Sequence, residues 1–206
     1  MYAHWRDLFV RLLLLAITLS PGAAGAAGPA AGSPFLAGQF LVASPGIGDP
    51  RFARTVIFII DHDQGGAMGL VLNRSLGRGP LRALLQGFGV DEVEADGTVE
   101  LHSGGPVDPT RGFVLHSIDF AGVGTRPVGE DVALSVGFDV LTAMASGAGP
   151  KRRQIYLGYA GWGPGQLESE IARNDWLSAP ADTALIFTDD AEPVWDRAMR
   201  HAGMSL

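Results

Sequence analysis

The chain has 206 residues, a formal charge of −7 and no cysteine. The missing cysteine excludes disulfides, thiolate catalysis and thiolate metal sites together. The net acidity argues against a phosphate-coated partner, because the one dense basic run, KRR at 151–153, reads as a solvated strand entry.

The N-terminus carries the clearest shift in composition. MYAHWRDLFVR places Arg6 and Arg11 ahead of the apolar run LLLLAITL, and a small-residue tract containing Ala24-Gly25-Ala26 follows. A positive region, an apolar region and an A-x-A site in that order spell a secretory signal peptide. The expected division is a signal peptide over 1–26, a Gly/Ala/Pro-rich linker over 27–34 and one folded domain over 35–206. Cleavage would remove Arg6, Arg11 and Asp7, leaving a mature charge of −8. The apolar run is too short to span a bilayer comfortably, so no stable membrane span is expected after cleavage. Export, with a periplasmic destination, is the expected localisation. The alternative is a misassigned start or a fixed membrane anchor.

Beyond the linker, QFLVAS (39–44) and RTVIFIID (54–61) are rich in β-branched and aromatic residues and read as strands around a turn-forming loop. HDQGG reverses the chain into AMGLVLNRS, a third strand. GPLRALLQGFG predicts a short helix, with Pro80 at its start and Leu81, Leu84 and Leu85 on one face. TVELHS, GFVLHS and DVALSV predict further strands. FDVLTAMASG has helical spacing, with Val140, Leu141 and Met144 on one side and Gly147 as its stop. RQIYLGYA reads as a strand, GQLESEIARN as an amphipathic helix, and TALIF as a strand. DDAEPVWDRAMRHAG closes the chain as a helix with Asp189 or Asp190 as its cap, Arg200 and His201 in its last turn and Gly203 after it. Strands outnumber helices and interleave irregularly, which predicts a mixed α+β fold: a single compact α/β domain around a central mixed sheet flanked by helices.

The motifs that carry chemistry are weak one by one. GGAMG (65–69) leads into a strand rather than a helix N-terminus, so it does not make a phosphate cradle. No G-x-S-x-G elbow supports a serine nucleophile, which leaves Ser103 with His102 or His116 as a loose pairing. Asp61, His62 and Asp63 gather at one strand end, but strand alternation turns His62 away from the two carboxylates, so no metal site and no cofactor is expected there. No helix-turn-helix or zinc module can be drawn, and nucleic acid is not an expected partner.

Taken together, three segments carry a resemblance. FLVASPGIGDPRFARTVIFIIDHDQGGAMGLVLNR, SGGPVDPTRGFVLH and LGYAGWGPGQLESEIARNDWLSAPADTALIF resemble the YqgE/AlgH family, in that order and from about Phe35 to the C-terminal helix. The resemblance implies a compact mixed α/β domain, usually bacterial and cytoplasmic, and a regulatory description associated in one branch with alginate production. It implies no catalytic mechanism. The N-terminal extension departs from the family pattern, since most members begin near the equivalent of Phe35.

The candidate ligand-binding residues are His62, Asn73, Arg74, His102, Arg111, His116 and Trp162, polar or aromatic groups at expected strand ends. A structural role competes at each: Asn73 as a loop former and Trp162 as a packed lid over the helix that begins near Gly165 are examples. Arg111 and His62 stand out because a guanidinium and an imidazole can orient an anion. The reading is a non-catalytic domain that binds a protein or small ligand, with a regulatory role. The alternatives are an enzyme using the strand-end loops, with His62, His102, His116 and Arg111 in acid-base or anion-holding roles, and a cytoplasmic transcriptional regulator.

Overall fold

A computed structural model describes residues 35–90, 95–188 and 194–204. The expected signal peptide and linker, and the expected caps Asp189 and Asp190, fall outside the described residues. Within them the chain forms ten strands: β1 (Gln39–Ala43), β2 (Val56–Asp63), β3 (Gly66–Val71), β4 (Ser75–Pro80), β5 (Thr98–Ser103), β6 (Val107–Ser117), β7 (Thr125–Pro127), β8 (Val132–Ser135), β9 (Arg153–Trp162) and β10 (Trp176–Pro180). Five α-helices accompany them: α1 (Leu81–Gly87), α2 (Phe138–Ala145), α3 (Gln166–Ala172), α4 (Thr183–Ile186) and α5 (Val194–His201). The result is a mixed α+β domain with one curled sheet, ordered β10-β1-β2-β3-β9-β6-β8-β7, with β5 also on β9 and β4 on β5. Every described strand pairing is antiparallel except β5 with β9.

Strand alternation sorts the apolar residues between the two faces. On one face Phe40, Val42, Val56, Phe58, Ile60 and Leu70 join residues of β6 and β8 in a core closed by α4 and α5, where Leu185, Trp195 and Met199 are buried. The opposite face carries two smaller clusters. Leu41, Ile57 and Ile59 pack under Leu167 of α3, while Leu101, Val114 and Ile155 pack under Leu84 and Leu85 of α1 and Val140 and Leu141 of α2. These are the faces expected for α1 and α2, and Gly147 sits in the left-handed region just past α2.

TALIF is the correction: residues 183–186 form the helix α4, not a strand. The Asp182 carboxylate accepts a 2.8 Å hydrogen bond from the Ala184 amide, and Leu185 and Ile186 both turn into the same core, which an alternating strand would not allow. Three strands had no sequence expectation: the Gly/Pro-containing β4, the three-residue β7, and β10, which pairs along β1.

LHSGGPVDPTRGFVLHS (101–117) is a crossing. Ile155 and Leu157 of β9 each pair with β5 on one edge and with β6 on the other. The chain therefore passes over β9 within Gly104-Gly105-Pro106. It does so where Gly158 has φ +70°, and where a Cβ on Gly104 or Gly105 would overlap the backbone of Gly158, Tyr159 or Ala160. Only backbone-to-backbone contact fits there, which is why the segment is rich in glycine.

Candidate functional site

The three candidate histidines are all buried, and each is bonded into a different part of the scaffold. His62 Nδ1 accepts a 3.0 Å hydrogen bond from the Leu36 amide, which leaves the proton on Nε2 to face Glu168 Oε1 at 3.0 Å. The ring thus ties the start of the domain to α3, and Phe35 packs edge-on against it. The Glu168 carboxyl is held below its ordinary value by its own backbone amide and then by His62. Asp61 and Asp63 point to the other side, as alternation requires, and Asp61 pairs with Arg126 at 3.2 Å.

His102 lies against Tyr156 and donates through Nε2 to Gln154 Oε1 at 2.9 Å, while the Gln154 amide reaches the Thr188 carbonyl at 3.2 Å. His116 is sealed from solvent. Its Nδ1 donates to the Ser117 carbonyl at 2.8 Å, so Nε2 accepts from the Ser135 hydroxyl at 2.7 Å. Ser135 Oγ is in turn 2.6 Å from Thr125 Oγ1. Burial pushes the His116 pKa down, which favours the neutral ring. The Ser135–His116 distance suits a nucleophile and its base, a pairing the sequence did not suggest because strand pairing of β6 with β8 makes it. Ser135 is fully buried at the inner wall of the cavity described below, and its hydroxyl is already bonded to His116 and Thr125.

Asn73 and Arg74 brace the loop before β2. Asn73 accepts from the Val56 amide at 3.0 Å and donates to the Arg54 carbonyl at 2.8 Å; the Arg74 guanidinium donates to the Ala53 carbonyl at 2.9 Å and to Thr55 Oγ1 at 3.2 Å. That loop holds a short 3-10 turn (Pro50–Phe52), capped by Asp49. Trp162 packs edge-on against Trp176, and both indole N–H groups donate to Glu170 Oε2 at 2.8 Å. Trp162 is the lid on α3 that its position suggested.

Arg111 differs from all of these. Its side chain is exposed, its guanidinium lies 5.3 Å over the Phe113 ring, and no ion pair forms to it among the described residues. It lies where β6 leaves its register with β9, between Val107 and Gly112. On one side of it a cavity of about 480 Å³ opens between the C-terminal end of α1 and the start of α2, with Phe88, Val114, Phe138, Leu141, Ile155 and Leu157 among its walls. Arg111 is the one charged residue among the described residues that line it. On its other side lies a shallow depression bordered by Asp61 and Asp63. The seven candidate residues therefore do not converge. Arg111 alone borders the largely apolar cavity, and Trp162 borders the depression.

An AlgH-like family model matches residues 40–206. The chain belongs to the AlgH-like family. A relative from Methylococcus capsulatus, a UPF0301 protein, is 51% identical over 169 residues, covering 82% of this chain and 92% of its own. Another UPF0301 protein, from Rhizobium meliloti, is 45% identical over 177 residues, covering 83% and 88%. The solution structure of the AlgH protein from Pseudomonas aeruginosa is similar at a TM-score of 0.71 and 39% identity, covering 86% of this chain and 94% of that one. A crystal structure from Corynebacterium diphtheriae shares the fold at a TM-score of 0.60 and 24% identity, covering 82% and 87%. Within the AlgH-like chain described here, no cluster of three or more potential metal ligands occurs among the described residues. Nor is any described helix long and apolar enough to cross a membrane.

Proposed function

We propose that this AlgH-like protein acts by binding, with a regulatory consequence, and that the cavity between α1 and α2 is where a small ligand or a segment of a partner protein sits. The observation that supports this is a contrast within one domain. The imidazoles that could serve as acid or base are committed to structural bonds, while an open apolar cavity of about 480 Å³ is bordered by a single exposed cation. Ligand sites are commonly concave, apolar and furnished with few polar groups. Thermal unfolding against a panel of neutral, anionic and cationic amphiphiles, nucleotides and divalent metals tests the reading. Stabilisation by amphiphiles that is lost in Leu141→Trp, which fills the cavity, supports it. Stabilisation by nucleotides or metals alone, or by nothing in the panel, refutes it.

A competing enzymatic reading rests on the 2.7 Å Ser135–His116 contact. It requires the buried hydroxyl to become accessible, and covalent labelling of Ser135 by an organophosphorus probe in the folded protein would favour it over binding.

The signal-like N-terminus supports export to the periplasm, which would separate the protein from the transcription machinery. Sequencing the mature N-terminus tests this: a chain starting near Ala26 in the periplasmic fraction fits export, and a soluble chain starting at Met1 ends it.

A further inference from the structure

The walls of the cavity narrow the class of its ligand. Phe88, Val114, Phe138, Leu141, Ile155 and Leu157 offer aliphatic and aromatic surface, and Phe138 is 42% exposed at the rim. That lining suits a hydrocarbon chain and gives a sugar or a nucleotide few partners. The polar end of the ligand is set by Arg111, the one charged side chain among the described lining residues, which forms no ion pair with a described carboxylate. A cationic head would meet repulsion there and a neutral head would leave the guanidinium unused, whereas a carboxylate matches its fork of donors.

We infer that the cavity takes a free amphipathic carboxylate, its hydrocarbon chain between α1 and α2 and its head on Arg111. This rests on the binding reading above. The ligand is a free molecule rather than a lipid within an anionic bilayer. A single exposed Arg gives little hold on such a surface, and the net charge of −7 opposes approach to it.

Octanoate, octanol and octylammonium, each below its aggregation concentration, test the inference by calorimetric titration and by amide NMR shifts. Octanoate is expected to bind about fivefold more tightly than octanol, the scale of an exposed charge pair. Arg111→Gln should erase that preference while octanol binding persists, and amide shifts should fall on residues 86–89, 109–114 and 135–141. Equal binding of octanoate and octanol to the unaltered protein, or tightest binding of octylammonium, overturns the carboxylate and leaves the cavity as a binding site. Co-sedimentation with phosphatidylglycerol vesicles overturns the free-molecule assignment. No binding of any of the three, with no shifts at the cavity, removes the site and the inference together.

Discussion

The connection that enters β6 and the first half of that strand are built on opposite principles. Where the chain crosses β9 at Gly104-Gly105, backbone lies on backbone and there is no room for a single methyl group. A few residues later β6 leaves its register with β9, and a cavity of about 480 Å³ opens beside it. The crossing fixes how β5 and β6 flank β9, and so fixes where the cavity walls stand. A filled junction therefore positions an empty site, and the two should respond to added atoms in opposite ways.

The largest effect is expected at the junction. Gly105→Ala places a Cβ on the Tyr159 backbone and also disfavours the φ of +149° found there. Neither the crossing nor β9 can give way without breaking sheet pairing, so a loss of about 4 kcal/mol is expected, at the upper end of single substitutions. Gly129→Ala is the control: its φ is +79° but its surroundings are open, and the conformational penalty alone should be about 1 kcal/mol. Urea unfolding of both variants measures the difference. Equal losses would show that the junction tolerates a side chain.

A smaller effect is expected where the junction side meets α3. Trp162→Phe keeps most of the apolar packing on Trp176 but removes one of the two indole donors to Glu170. Hydrogen bonds to a charged group are worth about 2 kcal/mol, and Trp176 and Gln166 still hold the carboxylate, so the loss should not exceed that figure. Chemical denaturation of Trp162→Phe, Trp176→Phe and the double variant gives the coupling. Simple additivity would mean that the two indoles do not share the carboxylate energetically.

Much of this architecture was legible in the sequence. The β-branched and aromatic run of β2 and the helical spacing of Leu81, Leu84 and Leu85 in α1 marked those elements, and turn formers marked their ends. What local pattern could not supply came from tertiary pairing. β10 becomes a strand because β1 offers an edge, β4 because β5 does, and TALIF becomes helical because Asp182 caps it and the core takes both Leu185 and Ile186. The site followed the same rule. Arg111 could be singled out by type and position, but the cavity beside it needs the register break and two helices from distant parts of the chain. The histidines drew attention as chemical groups, yet a buried ring with fixed partners and an available one have the same letter in a sequence.

The smallest predicted effect probes the open side directly. Val114 is buried on the cavity wall and Val42 is buried in the packed core under α5, so Val→Ile adds the same methylene to two different surroundings. In the packed core the extra carbon has to displace neighbours, and Val42→Ile should cost about 1 kcal/mol. At Val114 it can extend into empty volume and gain apolar contact, so stability should be unchanged or rise by about 0.5 kcal/mol. Thermal unfolding without ligand reads both. If Val114→Ile destabilised the protein as much as Val42→Ile, the space beside Val114 would already be filled by packing, and a ligand would have to create its own room rather than find it.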